Sequence, residues 1–194
     1  MTSLDASLTE LHWTTTGSRE VYRGRVVVTE HDVVLPGGGT STFEVDESIP
    51  FAVAVLIVDE LSRLCLTRQY RYAIDRWIYD LPGGAGDADE RPVDAAFREC
   101  REEIGLIPVS LDPLHTFFPN PGRVAWPAHI FFCRATSVGV ADTSDPAEQV
   151  TAVWITLEEL DRLIASGDIV DPAVLIARVM AAARGLLPAV VEAG

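Results

Sequence analysis

The chain has 194 residues, of which 48% are hydrophobic, and its 15 Lys and Arg against 29 Asp and Glu give a formal net charge of −14. A chain of this length buries about 70% of its unfolded surface, which is enough for a single core. The negative charge argues against a general nucleic-acid binder and against a protein that binds anionic membranes. An anionic substrate would need local cations or arginines, because the overall field repels it.

The cysteines and the first residues indicate the compartment. Cys65, Cys100 and Cys133 lie in apolar stretches without the spacing of metal ligands, so we expect reduced thiols in the core. Residues 1–13 lack a basic start and a long apolar run, so we expect no signal peptide, and no apolar run is long enough to span a membrane. The default expectation is a soluble cytoplasmic protein.

The first quarter of the chain has a strand pattern of modest apolar content. Residues 1–18 are polar, and we expect a flexible segment there. Three strands are predicted after it, over 21–28, 31–35 and 40–45, with a Pro-Gly-Gly-Gly turn before the third. We interpret residues 19–48 as an N-terminal β appendage that needs a partner surface to be stable.

A single domain is predicted over residues 49–187, followed by a short tail at 188–194. Its first element, residues 51–58, is almost continuously apolar, as in a central strand covered on both faces. Further strands are predicted over 64–69, 77–81, 114–118, 129–133 and 150–155.

Two helices are predicted to close the domain. Thr156 and Glu159 form a capping box that starts a helix ending near Gly167. Asp171 and Pro172 start the last helix. The core stripe predicted for this last helix is Ile176, Val179, Met180 and Ala183.

Residues 83–106 form a glycine loop followed by one helix. Pro92 suits the first helical position, and Gly105 is the expected left-handed stop. One helix face is apolar and carries Val93, Ala96, Phe97, Cys100 and Ile104. The opposite face carries Arg98, Glu99, Glu102 and Glu103.

The acidic face is electrostatically unfavourable by itself. Glutamates in a last turn oppose the negative end of the helix at about 0.3–1 kcal/mol each. Glu99 and Glu103 lie four residues apart and repel each other by about 0.2–0.5 kcal/mol. Arg98 offsets part of this through Glu102, and a hard cation such as Mg²⁺ would offset the rest. A solvated charged face is the alternative, but the preceding glycines favour a ligand, because they expose backbone groups.

The spacing from Gly84 through Glu90 to Arg-Glu-Cys-Arg-Glu-Glu-Ile-Gly-Leu at 98–106 resembles the Nudix box. All fixed positions match, with Cys100 where the family usually has an aliphatic residue. Gln69-Tyr70-Arg71 and Pro119-Asn120-Pro121-Gly122 resemble the ADP-ribose pyrophosphatase branch of Nudix hydrolases. The resemblance implies an α+β fold, a Nudix-type α/β/α sandwich with a mixed central sheet and an N-terminal antiparallel β appendage.

The resemblance also implies the site residues. Glu99, Glu102 and Glu103 would bind Mg²⁺, or Mn²⁺, together with the carbonyl of Gly83. The catalytic residues would be Glu103, Arg98, which orients the carboxylates, and Glu148 as the base, with Asp145 in reserve. The implied substrate-binding residues are Arg71, Tyr22, Arg25, Glu44, Pro121 and Trp126. Taken from the residues alone, Arg71 could equally pair with an acidic neighbour, Glu148 could be solvated, and Tyr22 and Arg25 could be ordinary sheet residues.

The implied reaction is hydrolysis of a nucleoside diphosphate derivative, with ADP-ribose giving AMP and ribose 5-phosphate. Trp126 departs from the family, which often carries a glutamate there, and an indole cannot accept a hydrogen bond. Hydrolysis of another NDP-sugar therefore stays open, as does a non-catalytic module that senses a nucleotide sugar. The implied partners are a small-molecule nucleotide and a second copy of the chain, in a homodimer whose N-terminal strands can swap, with no nucleic acid and no membrane.

Overall fold

The computed structural model describes residues 12–134, 136–139 and 150–189. The chain folds into two compact units. The first unit comprises residues 1–48 and 120–125, and the second comprises residues 49–119 and 126–194.

The first unit contains a three-stranded antiparallel sheet. Its strands are β1 (Thr14–Arg23), β2 (Val27–Val34) and β3 (Thr40–Asp46), in the order β1-β2-β3. The loop 120–125 extends this sheet, because Asp46 N donates to Arg123 O at 2.8 Å and Ala125 N donates to Asp46 O at 3.2 Å. Among the apolar side chains described in this unit, only Val33 is buried, at 6% exposure. A three-stranded sheet with so little buried area is marginal without another surface.

The strand predicted over 21–28 is wrong. The structure places a reversal at residues 24–26, where Gly24 N donates to Val26 O at 2.9 Å. The apolar residues on either side of this turn belong to two strands, because β1 ends at Arg23 and β2 begins at Val27. Residues 14–18, expected in a flexible segment, form the first half of β1.

The second unit is built on a seven-stranded sheet. Its strands are β4 (Ala52–Val58), β5 (Arg63–Arg71), β6 (Arg76–Asp80), β7 (Gly83–Ala85), β9 (Asp112–Phe117), β10 (Ala128–Cys133) and β12 (Thr151–Thr156). The main path is β12-β5-β4-β10-β9, with β6 on β5 and β7 on β4. The pair β4 and β10 is parallel and the other pairs are antiparallel, so the predicted mixed sheet is confirmed.

The sheet branches next to β4. Strands β4 and β5 pair at Ile57 and Val58 and then continue with different partners, β7 and β6. The short connection from Asp80 to Gly83 therefore joins two branches of one sheet. The candidate site residues described below lie around this connection.

Helices cover both faces of the sheet. Helix α1 (Pro92–Ile104) packs on one face through Ala95, Ala96 and Cys100. Helices α2 (Leu157–Ala165) and α3 (Pro172–Ala183) contribute to the core on the other face. The predicted α/β/α sandwich is confirmed. A further pair of strands, β8 (Leu106–Pro108) and β11 (Thr136–Val138), is antiparallel.

The predicted helix ends are confirmed. Pro92 opens α1, and Gly105 ends it with a φ of 64°. Thr156 accepts a hydrogen bond from Glu159 N at 3.1 Å and caps α2. None of the helices in the described ranges has the length and apolarity needed to cross a membrane.

The core stripe predicted for the last helix is confirmed for Ile176 and Met180, which pack against the core, and wrong for Val179 and Ala183, which are exposed. The buried residues of α3 are Val174, Ala177, Arg178 and Ala181. Val179 is 56% exposed, whereas Arg178 is only 1% exposed. Arg178 is buried because it donates two hydrogen bonds to the Asp161 carboxylate, at 2.7 and 2.9 Å, and a third to Pro188 O at 2.8 Å.

The cysteine prediction is confirmed. Cys65, Cys100 and Cys133 are free and buried. All three belong to the core cluster between the sheet and α1. Desolvation raises the pKa of the Cys65 thiol to about 12, so it remains a protonated, unreactive core residue at neutral pH.

Candidate active site

Two glycines of β7 let the backbone approach its neighbours closely. A Cβ atom at Gly83 would lie 2.1 Å from the backbone oxygen of Val53, so any side chain would push β7 off β4. A Cβ atom at Gly84 would lie 2.7 Å from the Glu99 carboxylate. Gly83 N donates to the Glu103 carboxylate at 2.8 Å. These contacts place two glutamates of α1 directly against the backbone of β7.

Arg98 connects the acidic side chains of the helix with the glycine loop. Its Nε and Nη2 each donate to the Glu90 carboxylate at 3.0 Å, and Nη2 also donates to Ala85 O at 2.9 Å. Its Nη1 donates to Glu99 at 2.7 Å and to Glu102 at 3.3 Å. These contacts, the one with Glu90 above all, hold the pKa of Arg98 above its ordinary value. Arg98 is therefore a permanently charged group that orients the surrounding carboxylates.

Glu103 is the carboxyl with the most strongly perturbed ionisation in this group. Desolvation raises the pKa of Glu103 to about 8, and the charges of Glu99 and Asp80 add to this effect. The Gly83 N–H and the charge of Arg71 act in the opposite direction. Removing a carboxylate from water without a full positive charge beside it is unfavourable. The site thus contains a carboxylate that a cation would stabilise.

Arg71 lies at the end of β5 and pairs with a buried acid. It forms an ion pair with Asp80, which is 7% exposed. Gln69 Nε2 donates to the same carboxylate oxygen at 3.3 Å, and Leu81 N donates to the other at 2.9 Å. The Arg71 side chain is 48% exposed, so part of its guanidinium group is open to a ligand.

The structure places the other predicted residues as follows. Trp126 is half-buried, and its Nε1 is buried without a hydrogen-bond partner in the part of the chain that the structure describes. Glu148 and its alternative Asp145 lie outside the described residues. The remaining predicted substrate-binding residues, Tyr22, Arg25, Glu44 and Pro121, all belong to the first unit and are exposed. Within that unit Arg123 donates to the Glu44 carboxylate at 3.4 Å.

Sequence reasoning missed one charged group near the acidic helix. Asp80 is buried beside Arg71, and Asp171 at the start of α3 lies against it. The available signal was a single charge directly after the strand residues Trp77-Ile78-Tyr79 and before Leu81. A buried acid is unfavourable without a partner, so this position could have been singled out.

The donor chemistry of the site fits a hard divalent cation. Carboxylate and carbonyl oxygens are the ligands that Mg²⁺ prefers, and carboxylates outnumber guanidinium groups around Glu103. In the described residues no three His, Cys, Asp or Glu side chains are already arranged around one point as ligands of an ion. Glu99 and Glu102 instead face Arg98, and Glu103 faces Gly83 N.

The fold and the site define a class of α/β/α enzymes in which a glycine strand leads into a glutamate-rich helix. The NUDIX domain matches residues 49–175. The chain therefore belongs to this family, and it is an enzyme of the Nudix diphosphatase type. Nudix hydrolases generally use divalent metal ions.

Individual relatives support the assignment of the chain to this family. The chain is 32% identical over 158 residues to the CMP-5'-(N-acetyl-N-hydroxy-3-aminopropyl)phosphonate hydrolase of Streptomyces rubellomurinus, covering 81% of this chain and 76% of that protein. It is 30% identical over 159 residues to the ADP-ribose pyrophosphatase of Bacillus subtilis, covering 81% and 85%. A solved ADP compounds hydrolase shares the fold with a TM-score of 0.74 at 22% identity, covering 94% of this chain and 100% of that one.

Proposed function

We propose that the protein hydrolyses the diphosphate linkage of a nucleoside diphosphate derivative, with Mg²⁺ as its cofactor and ADP-ribose as its first-choice substrate. The products would be AMP and ribose 5-phosphate. The observation that carries the proposal is the half-buried Glu103 on an acidic helix face that is packed against the glycines of β7. The similarity to the ADP-ribose pyrophosphatase of Bacillus subtilis supports the choice of substrate.

Each residue of the acidic face has a separate role in this proposal. The proposed cation ligands are Glu99, Glu102, Glu103 and the Gly83 carbonyl. A bound cation would neutralise the charge of the diphosphate oxygens and would activate the attacking water. Arg98 keeps two of the carboxylates in place, and the Gly83 N–H keeps the third. Mn²⁺ would serve in the same oxygen site.

Substrate contacts and proton transfer complete the proposal. The exposed part of Arg71 would donate hydrogen bonds to the diphosphate. Glu148 would take the proton of the attacking water as that water's oxygen bonds to phosphorus and the bridging P–O bond breaks. Tyr22, Arg25, Glu44, Pro121 and Trp126 are the proposed contacts to the rest of the substrate.

We also propose a cytoplasmic homodimer. The three free, buried cysteines support a reducing compartment. The exposed apolar side chains of the first unit, Trp13, Val21, Tyr22 and Val26, support a second copy of the chain as partner. One relative is named for ADP-ribose and another for a CMP-linked phosphonate, so the nucleobase and the leaving group of the substrate must both be tested.

The test measures AMP or phosphate release from ADP-ribose, other NDP-sugars, NADH and dinucleoside polyphosphates in Mg²⁺ and Mn²⁺. Glu103→Gln should lower turnover by about 10²–10³-fold, as losing one preorganised charged group in an active site does. Glu158→Gln, an exposed glutamate on α2, is the matched control and should leave turnover unchanged.

The outcomes separate the alternatives. Preferential cleavage of ADP-ribose, lost in Glu103→Gln, would support both the substrate and the acidic face. Turnover of another NDP-sugar would keep the reaction and change the substrate. No turnover with either metal, together with tight nucleotide binding, would overturn hydrolysis of these substrates in favour of a sensing module.

A further inference from the structure

Asp80 is a buried acid whose carboxylate is fully engaged by neighbouring donors. It ends β6, three residues before Gly83, and lies opposite Thr67 of β5 in the sheet register. One of its oxygens accepts from Leu81 N at 2.9 Å. The other accepts from Gln69 Nε2 at 3.3 Å and from the Arg71 guanidinium. Because both oxygens of this buried carboxylate are occupied, Asp80 does not contact a ligand directly. It instead fixes the positions of the Gln69 and Arg71 side chains.

Arg71 is the more exposed partner in this pair. It is the last residue of β5, and the chain reverses immediately after it through a short 3₁₀ turn at Tyr72–Ile74. A free arginine side chain at such a position loses about 2 kcal/mol of rotamer entropy when it is held in one geometry. The ion pair with Asp80 removes that freedom before any ligand arrives.

Arg71 lies within electrostatic reach of the acidic helix. The charge of Arg71 acts on Glu103, lowering the pKa of that carboxyl against the effect of burial. The contacts connect the two groups through a short backbone segment: Arg71 pairs with Asp80, and Gly83, three residues after Asp80, donates its N–H to Glu103 at 2.8 Å. A cation held at Glu103 would neutralise part of the charge of a diphosphate, and Arg71 would supply a further positive charge.

Asp171, the N-cap of α3, is a second acid next to Asp80. It caps α3 by accepting a hydrogen bond from Val174 N at 3.1 Å. Its carboxyl lies against Asp80, and burial together with the charge of Asp80 raises the pKa of Asp171 to about 6. Asp80 is thus surrounded by side chains of β5, by the backbone of Leu81 after β6 and by the N-cap of α3.

We propose that Asp80 is a positioning residue of the hydrolase: it holds the Arg71 guanidinium in one orientation, so that the exposed N–H groups of Arg71 meet the substrate diphosphate. This inference rests on the proposed function, because it takes Arg71 as the diphosphate contact. Asp80 itself touches neither the substrate nor the cation. Its effect on the reaction passes entirely through Arg71.

A double-mutant cycle tests this dependence. Asp80→Asn and Arg71→Ala should each raise KM for ADP-ribose about tenfold or more, the worth of one charge-assisted hydrogen bond, with kcat changed less than about threefold. The double variant should match Arg71→Ala within about twofold, because Asp80 has nothing left to position. Asp75→Asn is the matched control, since Asp75 lies in the same hairpin and its carboxylate accepts a hydrogen bond from the Tyr70 hydroxyl at 2.6 Å rather than from Arg71.

Two results would overturn the proposal. If Asp80→Asn lowers Tm but leaves KM unchanged, the Asp80 pair merely stabilises the hairpin. If the double variant shows the product of the two single effects, Asp80 acts independently of Arg71. Should Asp80→Asn not fold, Asp80→Glu keeps the charge and lengthens the side chain by one methylene; the proposal requires a raised KM for it at near-wild-type Tm.

Binding measurements keep this test separate from the proposed function. Calorimetric titration with ADP-ribose in EDTA, where the metal-dependent reaction is stopped, gives Kd for the wild type and for both single variants. If the wild type shows no turnover in the hydrolysis assay, the proposed function alone is overturned. If the wild type and Asp80→Asn have equal Kd values, the positioning role alone is overturned.

Discussion

Among single residues, Asp171 combines two roles with opposite demands on its charge. As the N-cap of α3 its oxygen accepts a hydrogen bond from Val174 N, which suits an ionised carboxylate. Burial and the neighbouring Asp80 oppose ionisation and raise the pKa of Asp171 from 3.8 to about 6. A folded-state pKa above the unfolded value means that this group's contribution to stability is complete below pH 4. That contribution is lost as the pH rises through about 6.

Asp171→Asn should therefore change the pH dependence of stability. Asparagine caps a helix about as well as aspartate but carries no titrating proton. Relative to the variant, the wild type should lose about 1–3 kcal/mol of unfolding free energy between pH 4 and pH 7. Urea unfolding at several pH values measures this difference. Asp168→Asn, in the exposed turn before α3, is the control, and parallel pH curves for wild type and Asp171→Asn would contradict the prediction.

At the scale of elements, strand β7 and helix α1 meet through two glycines that tolerate a side chain differently. At Gly83 an added methyl group would collide with the backbone oxygen of Val53, which cannot move without separating β7 from β4. At Gly84 the added methyl would meet the end of the Glu99 side chain, which can rotate away. The first collision affects the sheet, and the second affects the acidic face.

Gly83→Ala and Gly84→Ala should therefore separate stability from activity. Gly83→Ala should lower the unfolding free energy by about 2–4 kcal/mol, within the range of severe single substitutions. Gly84→Ala should keep Tm close to that of the wild type and reduce turnover of the best substrate by about tenfold or more, because Glu99 is displaced. Thermal unfolding and steady-state kinetics on both variants measure the two effects, and equal losses of Tm would contradict the assignment.

How far the elements could be predicted depends on whether their signal was local. Helix α1 was predictable, because Pro92, Gly105 and an apolar spacing of three and four residues are contained in one short stretch. The branching of the sheet was not predictable, because the pairing of β5 with β6 and of β4 with β7 depends on contacts between distant residues. The turn at 24–26 was missed, because the valines around it continue one apolar pattern across two strands.

The same distinction applies to charged side chains. The acidic face of α1 was visible in the spacing of Glu99, Glu102 and Glu103, since three positions of one helix carry it. The buried face of α3 was predicted only in part, because Arg178 is buried by its ion pair with Asp161, a residue of another helix. Asp80 escaped notice for the same reason, because its partners Gln69 and Arg71 come from the neighbouring strand. A charge is expected at the surface until its partner is known.

At the scale of the whole molecule, the first unit leaves its apolar side chains without a core of their own. Trp13, Val21, Tyr22 and Val26 are exposed in it, while Val33 is the single buried apolar side chain that the structure describes there. A second copy of the chain that covers these side chains would supply the missing burial, at roughly 25 cal/mol per Å² of apolar area removed from water. The net charge of −14 on each chain opposes this association.

We therefore expect a dimer whose stability depends on both concentration and salt. Sedimentation velocity should give twice the chain mass of 21.1 kDa at micromolar concentrations, and the dimer should tighten as NaCl screens the repulsion between two acidic chains. Tm should rise with protein concentration, because association stabilises the folded state by mass action.

Val21→Asp should shift the equilibrium towards the monomer, since it places a further negative charge among the exposed apolar side chains of β1. Ser18→Asp, also exposed on β1, adds the same charge at a polar position and should have a smaller effect. A single-chain mass at all concentrations, with a Tm independent of concentration, would mean that the first unit is stable with its apolar side chains in water.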